Sequence, residues 1–308
     1  IAHHALLKQL EHYSADHGCV VVMETKTGHI KAISNLGRAN DGSYYETQNY
    51  AITESHEPGS TFKLVDLIAV LDDKKADTST VYDSKGGRIE YYGRSVKDSN
   101  GKGYGKISLA RGFELSSNTV LVQSVYDSYK NNPKQFVDRI NSYGLNKPLG
   151  LPIKGEGKPV IPQPGTNRWS GVALPWMAFG YGLSVTPLQT LTLYNAVAND
   201  GVMVKPIFVS EIKEWNKTIK KYNTEVINPK ICSQETLDKV QAVLENVVKR
   251  GTGSKLYSKD FSMAGKTGTA QVNYKDKSKL YYASSFVGYF PADEPKYSCI
   301  IVVHKPNV

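Results

Sequence analysis

Glu57-Pro58-Gly59-Ser60-Thr61-Phe62-Lys63 runs without a break into Leu64-Val65-Asp66-Leu67-Ile68-Ala69-Val70-Leu71, and the reading of this stretch decides the rest. Proline and glycine stop whatever precedes. Ser60 suits an N-cap or a first turn, and no helix breaker follows through Leu71, so a helix starts here. Between Thr61 and Leu71 only Thr61, Lys63 and Asp66 are polar, the pattern of a helix buried on most sides. Lys63 is thereby carried into the interior. One turn separates it from Ser60, which places hydroxyl and amine on one face within expected hydrogen-bond reach. A buried ammonium loses its proton more easily, by up to roughly 3 to 5 pKa units. A neutral amine beside a hydroxyl is a nucleophile with its own base.

Ser-x-x-Lys alone is a cheap pattern. It recurs at Ser99 to Lys102, inside the polar glycine-rich run Asp98 to Gly103, and at Ser210 to Lys213, inside the strand-like alternation Val209-Ser210-Glu211-Ile212-Lys213. Neither recurrence opens a buried helix, so the wider chain has to decide which serine matters.

Outward from Ser60 the chain alternates strand and helix signals. Leu6, Leu7, Leu10 and Tyr13 recur at helical spacing over about Ala5 to Ala15, an amphipathic first helix. Cys19 to Met23 and Ile30 to Ile33 read as strands joined by the turn Glu24-Thr25-Lys26-Thr27-Gly28. Asn35 to His56, polar and tyrosine-rich, reads as a long surface loop leading to the Ser60 helix. Tyr82 to Lys97 reads as short strands. Ser108 can cap a helix through Leu115, Asn118 to Tyr126 gives another, and Pro133 and Gly144 bound a third. Leu145 to Asn167 is rich in proline and glycine and reads as irregular. Thr186-Pro187-Leu188 opens a helix that Gly201 closes, and Ser233 caps a long one from about Gln234 to Lys249. Three strands near Met263 to Val272, Tyr282 to Phe290 and Tyr297 to His304 finish the chain.

Strands at both ends with helices between them imply an α/β (α+β) fold. One central five-stranded antiparallel sheet is assembled from the two termini and flanked by helices, with a mostly helical subdomain inserted. The division reads as a sheet lobe of about 1–59 plus 202–308 and a helical lobe of about 60–201.

Composition narrows the function classes. The 308 residues can bury a substantial core without staples. No apolar run reaches the roughly 18 residues of a membrane span. The chain opens on Ile1 with no signal-peptide pattern, and it reads as a piece of something longer. Cys19, Cys232 and Cys299 are too few and too scattered for a disulfide framework or a zinc site, and the odd count leaves at least one free. Net charge is +9, but the lysines are spread and no nucleic-acid-binding signature accompanies them, so a solvated basic surface rather than a nucleic-acid partner is expected. His3, His4, His12, His17, His29, His56 and His304 show no paired ligand spacing, so no metal and no cofactor are expected for the chemistry.

Two more short motifs complement Ser60 and Lys63. Ser116-Ser117-Asn118 lies at a junction between two expected helices. Its plain reading is a helix cap. Its functional reading gives Ser116 a hydroxyl that relays protons and Asn118 an amide that both donates and accepts, a pair suited to an amide substrate. Lys-Thr-Gly occurs twice: Lys26-Thr27-Gly28 occupies a hairpin turn, whereas Lys266-Thr267-Gly268-Thr269 lies in a strand run. There Gly265 and Gly268 permit close backbone approach, and a free edge can accept an extended peptide. Lys266, Thr267 and Thr269 would offer charge and hydroxyls to a carboxylate. The plain alternative is an edge strand weakened by glycines.

Ser60-x-x-Lys63, Ser116-x-Asn118 and Lys266-Thr267-Gly268, in that order, resemble the motif set of the penicillin-binding transpeptidases. Phe179-Gly180-Tyr181-Gly182-Leu183-Ser184-Val185-Thr186-Pro187-Leu188-Gln189, Arg250-Gly251-Thr252-Gly253 and Ala264 to Gln271 are similar to the class B, monofunctional branch, and the resemblance covers essentially the whole chain. It implies a D,D-transpeptidase that cross-links peptidoglycan in division or elongation. The serine attacks the D-Ala-D-Ala bond of a donor stem peptide, releases D-alanine and passes the acyl group to an amine of a neighbouring stem. By this resemblance Ser60 is the nucleophile and Lys63 its base. Ser116 relays a proton, Asn118 holds the substrate amide, and Lys266, Thr267, Gly268 and Thr269 bind the terminal carboxylate. The backbone amides of Ser60 and Thr269 form the oxyanion hole, and β-lactams acylate Ser60. The resemblance also implies an N-terminal membrane anchor and a pedestal domain outside this sequence, an extracytoplasmic catalytic face and a membrane glycosyltransferase partner. Two alternatives share the triplets: a D,D-carboxypeptidase and a β-lactam-binding sensor. A class A β-lactamase would carry Asp where Ser117 stands and a deacylating Glu-x-x-x-Asn segment between Asn118 and Lys266, which this chain lacks.

Overall fold

The computed structural model of the protein describes residues 1–272 and 280–307. Helix α1 (Ala2–His12) precedes strands β1 (His17–Glu24), β2 (Ile30–Arg38) and the two-residue β3 (Tyr44–Tyr45). A short helix α2 (Tyr50–Thr53), a 3₁₀ turn (Gly59–Phe62) and α3 (Lys63–Asp72) follow. Then come β4 (Val81–Asp83), β5 (Arg88–Tyr91), β6 (Arg94–Lys97), β7 (Lys106–Ser108), and helices α4 (Leu109–Glu114), α5 (Asn118–Tyr129), α6 (Pro133–Ser142), α7 (Ala173–Met177) and α8 (Pro187–Ala198). The chain ends with β8 (Met203–Val204), β9 (Glu211–Glu214), β10 (Lys217–Lys221), β11 (Val226–Asn228), α9 (Gln234–Arg250), β12 (Ala264–Val272), β13 (Tyr281–Phe290) and β14 (Tyr297–His304).

The five strands expected from the two chain ends form one antiparallel sheet in the order β12-β13-β14-β1-β2, and β3 adds a short sixth at the far edge. Strand β1 lies between β14 and β2, with Val21 opposite Ile300 on one side and Ile33 on the other. Six of its eight residues are buried, as its unbroken apolar run requires of a strand covered on both faces. The cysteines Cys19, Cys232 and Cys299 are all free.

Helix α8 is buried along its whole length, so a helix without a polar face sits beneath the sheet. Its start is set by a capping box between Thr186 and Gln189, which satisfies two orphan N–H groups reciprocally. On α3, residues Leu64 to Val70 are completely buried. The main core joins residues of the sheet, such as Val21, Val287 and Val302, to residues of the helices, such as Phe113, Val125 and Leu191.

The sequence reading places some boundaries differently. Strand β2 runs on to Arg38, and β3 and α2 occupy part of the stretch read as loop. Sheet pairing with β1 down to Gly37 opposite His17 supplies order that the polar, tyrosine-rich composition hides. Helix α1 spans Ala2–His12 rather than Ala5 to Ala15, because Ser14 takes a left-handed backbone with φ 44° and Ala15 turns toward β1.

Candidate active site

The helix read from Ser60 begins with a tighter turn. Gly59 sits at φ +56°, a left-handed conformation natural to glycine, and Gly59–Phe62 forms a 3₁₀ turn before α3 starts at Lys63. Thr61 Oγ1 donates to Pro58 O at 2.9 Å, and Tyr194 OH on α8 donates to Thr61 O at 2.8 Å. The turn that carries Ser60 is thus pinned from within and from below.

Lys63 is fully buried. Its Nζ donates to Asn118 Oδ1 at 2.6 Å and to the backbone oxygen of Ser116 at 2.8 Å, with Ser116 Oγ at 3.3 Å. Among the described residues no hydrogen bond joins it to Ser60 Oγ. The amine is taken up instead by the α4–α5 junction, where three oxygens of Ser116 and Asn118 accept from it. Burial lowers the Lys63 ammonium to about 7 against the opposing charges of Asp98 and Asp66. Asp66 is itself fully buried, neither carboxyl oxygen has a partner, and burial pushes its carboxyl well above the usual range.

Ser116 lies between α4 and α5 with φ +57°, a conformation that costs a non-glycine residue of order 1 to 3 kcal/mol and persists only where its surroundings enforce it. The enforcement is visible. Ser117 caps α5 by accepting from Val120 N at 3.2 Å. Its hydroxyl is held at 3.1 Å by both oxygens of the buried Asp98, which also accepts from Thr119 N at 3.0 Å and Thr119 Oγ1 at 2.9 Å. The plain and functional readings of this motif therefore fall on different serines: Ser117 is the cap, and the cap turns Ser116 toward the two lysines. Asn118 Nδ2 donates to Lys97 O at 2.7 Å, fixing its amide so that Oδ1 faces Lys63.

Lys266 completes the cluster from β12. It is fully buried, lies over the Phe113 ring at 5.7 Å, and donates to Ser116 Oγ at 2.9 Å and to Thr267 O at 3.0 Å. Burial, reinforced by the charge of Lys63, holds its ammonium well below the ordinary lysine range. One hydroxyl, that of Ser116, stands between two desolvated amines.

The β12 edge faces the Ser60 turn. At Gly268 an added Cβ would meet Ser285 Oγ at 2.4 Å and Thr61 Cγ2 at 2.9 Å, and at Gly180 it would meet Gly59 O at 2.0 Å. Bare backbone at both positions is what lets strand, turn and the Phe179 to Gly182 loop touch. Among the described residues strand β12 pairs only with β13. On its other side Gln271 N donates to Tyr181 OH at 2.8 Å, and strand alternation gives Thr269 and Thr267 the same outward-facing amides. The hydroxyls of Thr267 and Thr252 are hydrogen-bonded. Thr252 N donates to the backbone oxygen of Glu114, whose buried carboxylate pairs with Arg111 and Arg250 at 2.8 Å each.

The structure thus brings Lys63, Ser116, Asn118 and Lys266 into direct hydrogen-bond contact, and sets Ser60 and the Gly268–Thr269 edge against the same turn. Sequence reasoning missed Asp98, Tyr194 and Glu114. Asp98 stood in a polar glycine-rich loop, and no local signal distinguishes a buried carboxylate from a solvated one. The second Lys-Thr-Gly, Lys26 to Gly28, lies in the β1–β2 turn with Gly28 at φ +78°.

Comparison with known proteins agrees in extent and kind. The profile of the family described as the penicillin binding protein transpeptidase domain matches residues 18–307. The chain is similar to Stage V sporulation protein D of Bacillus subtilis, 28% identical over 96% of this chain and 46% of that protein. It is also similar to penicillin-binding protein PbpB of Mycobacterium tuberculosis, 30% identical over 97% of this chain and 46% of that protein. It spans about half the length of these curated relatives. Among solved structures, the D,D-transpeptidase domain of a peptidoglycan glycosyltransferase from Eggerthella lenta superposes with TM-score 0.85 at 27% identity, covering 97% of this chain and 76% of that one. Penicillin binding protein 3 of Mycobacterium tuberculosis, complexed with aztreonam, gives TM-score 0.85 at 26% identity over 100% of this chain and 71% of that one.

Proposed function

Starting from the fact that the chain belongs to the transpeptidase-domain family of penicillin-binding proteins, we propose that it is the catalytic domain of a serine D,D-transpeptidase that cross-links peptidoglycan stem peptides. The observation that carries this reading is the Lys63, Ser116, Asn118, Lys266 cluster: two buried amines sharing one hydroxyl beside an open strand edge.

In this proposal the donor peptide pairs with the free edge of β12, and its terminal carboxylate meets Lys266, Thr267 and Thr269, restoring the charge that burial takes from Lys266. Gly268 keeps the edge close to the turn. Lys63, lowered to about 7 and so partly neutral near that pH, takes the Ser60 proton as Oγ attacks the D-Ala-D-Ala carbonyl. Amides of Ser60 and Thr269 receive the oxyanion, an interaction whose loss costs roughly 3 to 4 kcal/mol where it has been measured. Ser116 relays the proton from Lys63 to the departing D-alanine amine, and Asn118 orients both Lys63 and the substrate amide. The acyl group then passes to an amine of a second stem peptide. A β-lactam follows the same path and stops at the acyl-enzyme.

We place the domain on the outer face of the cytoplasmic membrane, held there by an anchor outside this sequence and working beside a membrane glycosyltransferase. Among the described residues no helix is long and apolar enough to cross a membrane.

The test is mass spectrometry after incubation with a penicillin. One adduct is expected on the peptide containing Ser60, stable for minutes. Ser60→Ala is expected to abolish it with the thermal melt nearly unchanged, since Ser60 makes no helix-capping bond. Labelling elsewhere, or none, overturns the assignment.

A further inference from the structure

A second cluster of chemistry-bearing side chains lies outside the site described above, where one end of the sheet's central strand pair β1–β14 meets the segment leading to Ser60. His17 opens β1, His304 closes β14, and the two are direct partners in the sheet register. Glu54 reaches them from just beyond α2, six residues before Ser60. His17 Nε2 stands 2.9 Å from Glu54 Oε2, and His304 Nε2 stands 3.6 Å from the same oxygen. One ligand atom from each residue falls within a sphere where all lie within 4.8 Å of one another.

From this convergence we propose that His17, Glu54 and His304 form a binding site for one divalent transition-metal ion of the zinc type, which fastens the Ser60-bearing segment to the sheet. Three observations support it. First, the donor set is two imidazoles and a carboxylate. With zinc–ligand bonds of about 2.0 to 2.2 Å, tetrahedral neighbours stand about 3.4 Å apart, and the two measured separations bracket that value. Second, His17 Nδ1 is hydrogen-bonded at 2.8 Å to Asp16 Oδ2. This carboxylate–imidazole pairing orients the ring, and its Nε2, hydrogen-bonded to Glu54 Oε2 at 2.9 Å, would exchange that shared proton for a metal ion.

Third, the cluster is short of hydrogen bonds. Buried polar atoms in folded proteins nearly always have a partner. Yet His304, 2% exposed, makes no hydrogen bond with either ring nitrogen among the described residues, and its Nδ1 is buried without a partner. The Nδ1 of His56 is equally orphaned, on a ring whose centroid lies 5.0 Å from that of His304. Hydrogen bonds account for His17 and Glu54, whereas the His304 ring has none among the described residues to give up when its Nε2 takes a ligand. The His17 and His304 rings are stacked with centroids 4.3 Å apart, whereas a ligated ion lies in the plane of each ring. Loading therefore turns His304 out of the stack, a movement that breaks no hydrogen bond.

The test uses the whole chain, stripped with a chelator and titrated with zinc chloride by calorimetry and with cobalt chloride by visible absorption. One zinc per chain is expected, with a thermal melt that rises on loading and a cobalt d–d band typical of four-coordinate nitrogen and oxygen ligation. Glu54→Gln and His304→Ala are each expected to weaken binding at least tenfold and to remove the rise in melting temperature. Removing the exposed imidazoles with His3→Ala and His4→Ala together should leave both unchanged. Should His304→Ala fail to fold, Glu54→Gln keeps the shape of the site and carries the test. Absence of saturable one-to-one binding, binding that survives Glu54→Gln, or binding lost with the His3 and His4 pair overturns the proposal.

Discussion

At the scale of single residues, the site depends on holding two amines away from water. A lysine whose ammonium is lowered to about 7 is largely neutral above that pH and charged below it. Penicillin acylation is therefore expected to rise with pH along a limb with an apparent pKa near 7, as a general base requires. The same shift has a stability consequence of definite sign. From about pH 7 up to the ordinary lysine value of 10.5 the unfolded chain binds more protons at this position than the folded one. The contribution of Lys63 to stability therefore rises with pH across that window. Lys63→Arg, which stays charged, should lower acylation by at least about 100-fold, within the range of lost acid–base catalysis. A rate limb centred near the ordinary lysine value, measured with a fluorescent penicillin, would contradict the assignment of Lys63 as base.

At the scale of elements, the question is how a strand, a turn and a helix junction are brought within bonding distance. The answer lies in small residues facing one another. Gly268→Ala introduces a Cβ with Ser285 Oγ at 2.4 Å and Thr61 Cγ2 at 2.9 Å, contacts that force β12 away from the Ser60 turn. Acylation is expected to fall by one to two orders of magnitude, since displacements of about 1 Å cost that much in aligned reactions. The circular dichroism spectrum should keep its shape, because β12 retains its pairing with β13. An unchanged acylation rate would show that the strand edge does not need this approach.

At the scale of the whole molecule, the core is continuous from the sheet to the helices, so the helical insertion has no separate interior to unfold into. Chemical denaturation is expected to give one transition. Tryptophan fluorescence, reporting mainly Trp169 and Trp176 beside the helices, should coincide with far-ultraviolet dichroism reporting the sheet. Two separated transitions would mean that the lobes fold independently.

How much of this was legible beforehand differs by element. Helix α3 and strands β12, β13 and β14 were legible because periodicity and breakers record burial locally. Strand β2 beyond Ile33 was not, because its order comes from pairing with β1. The motif triplets marked the residues of the candidate site and their order. They did not show that Ser117 rather than Ser116 is the helix cap, or that Asp98 holds it.

The amino-acid order by itself determined which segments are buried and which short motifs exist, since both are written in spacings of three or four residues. Only the tertiary structure decided that Lys63 bonds Asn118 and Ser116 rather than Ser60, and that His17, Glu54 and His304 meet. The physical reason is that a residue's spacing fixes the face it presents. The groups that face it come from segments far away in the chain, and which ones they are follows from how the sheet and helices close on a shared core.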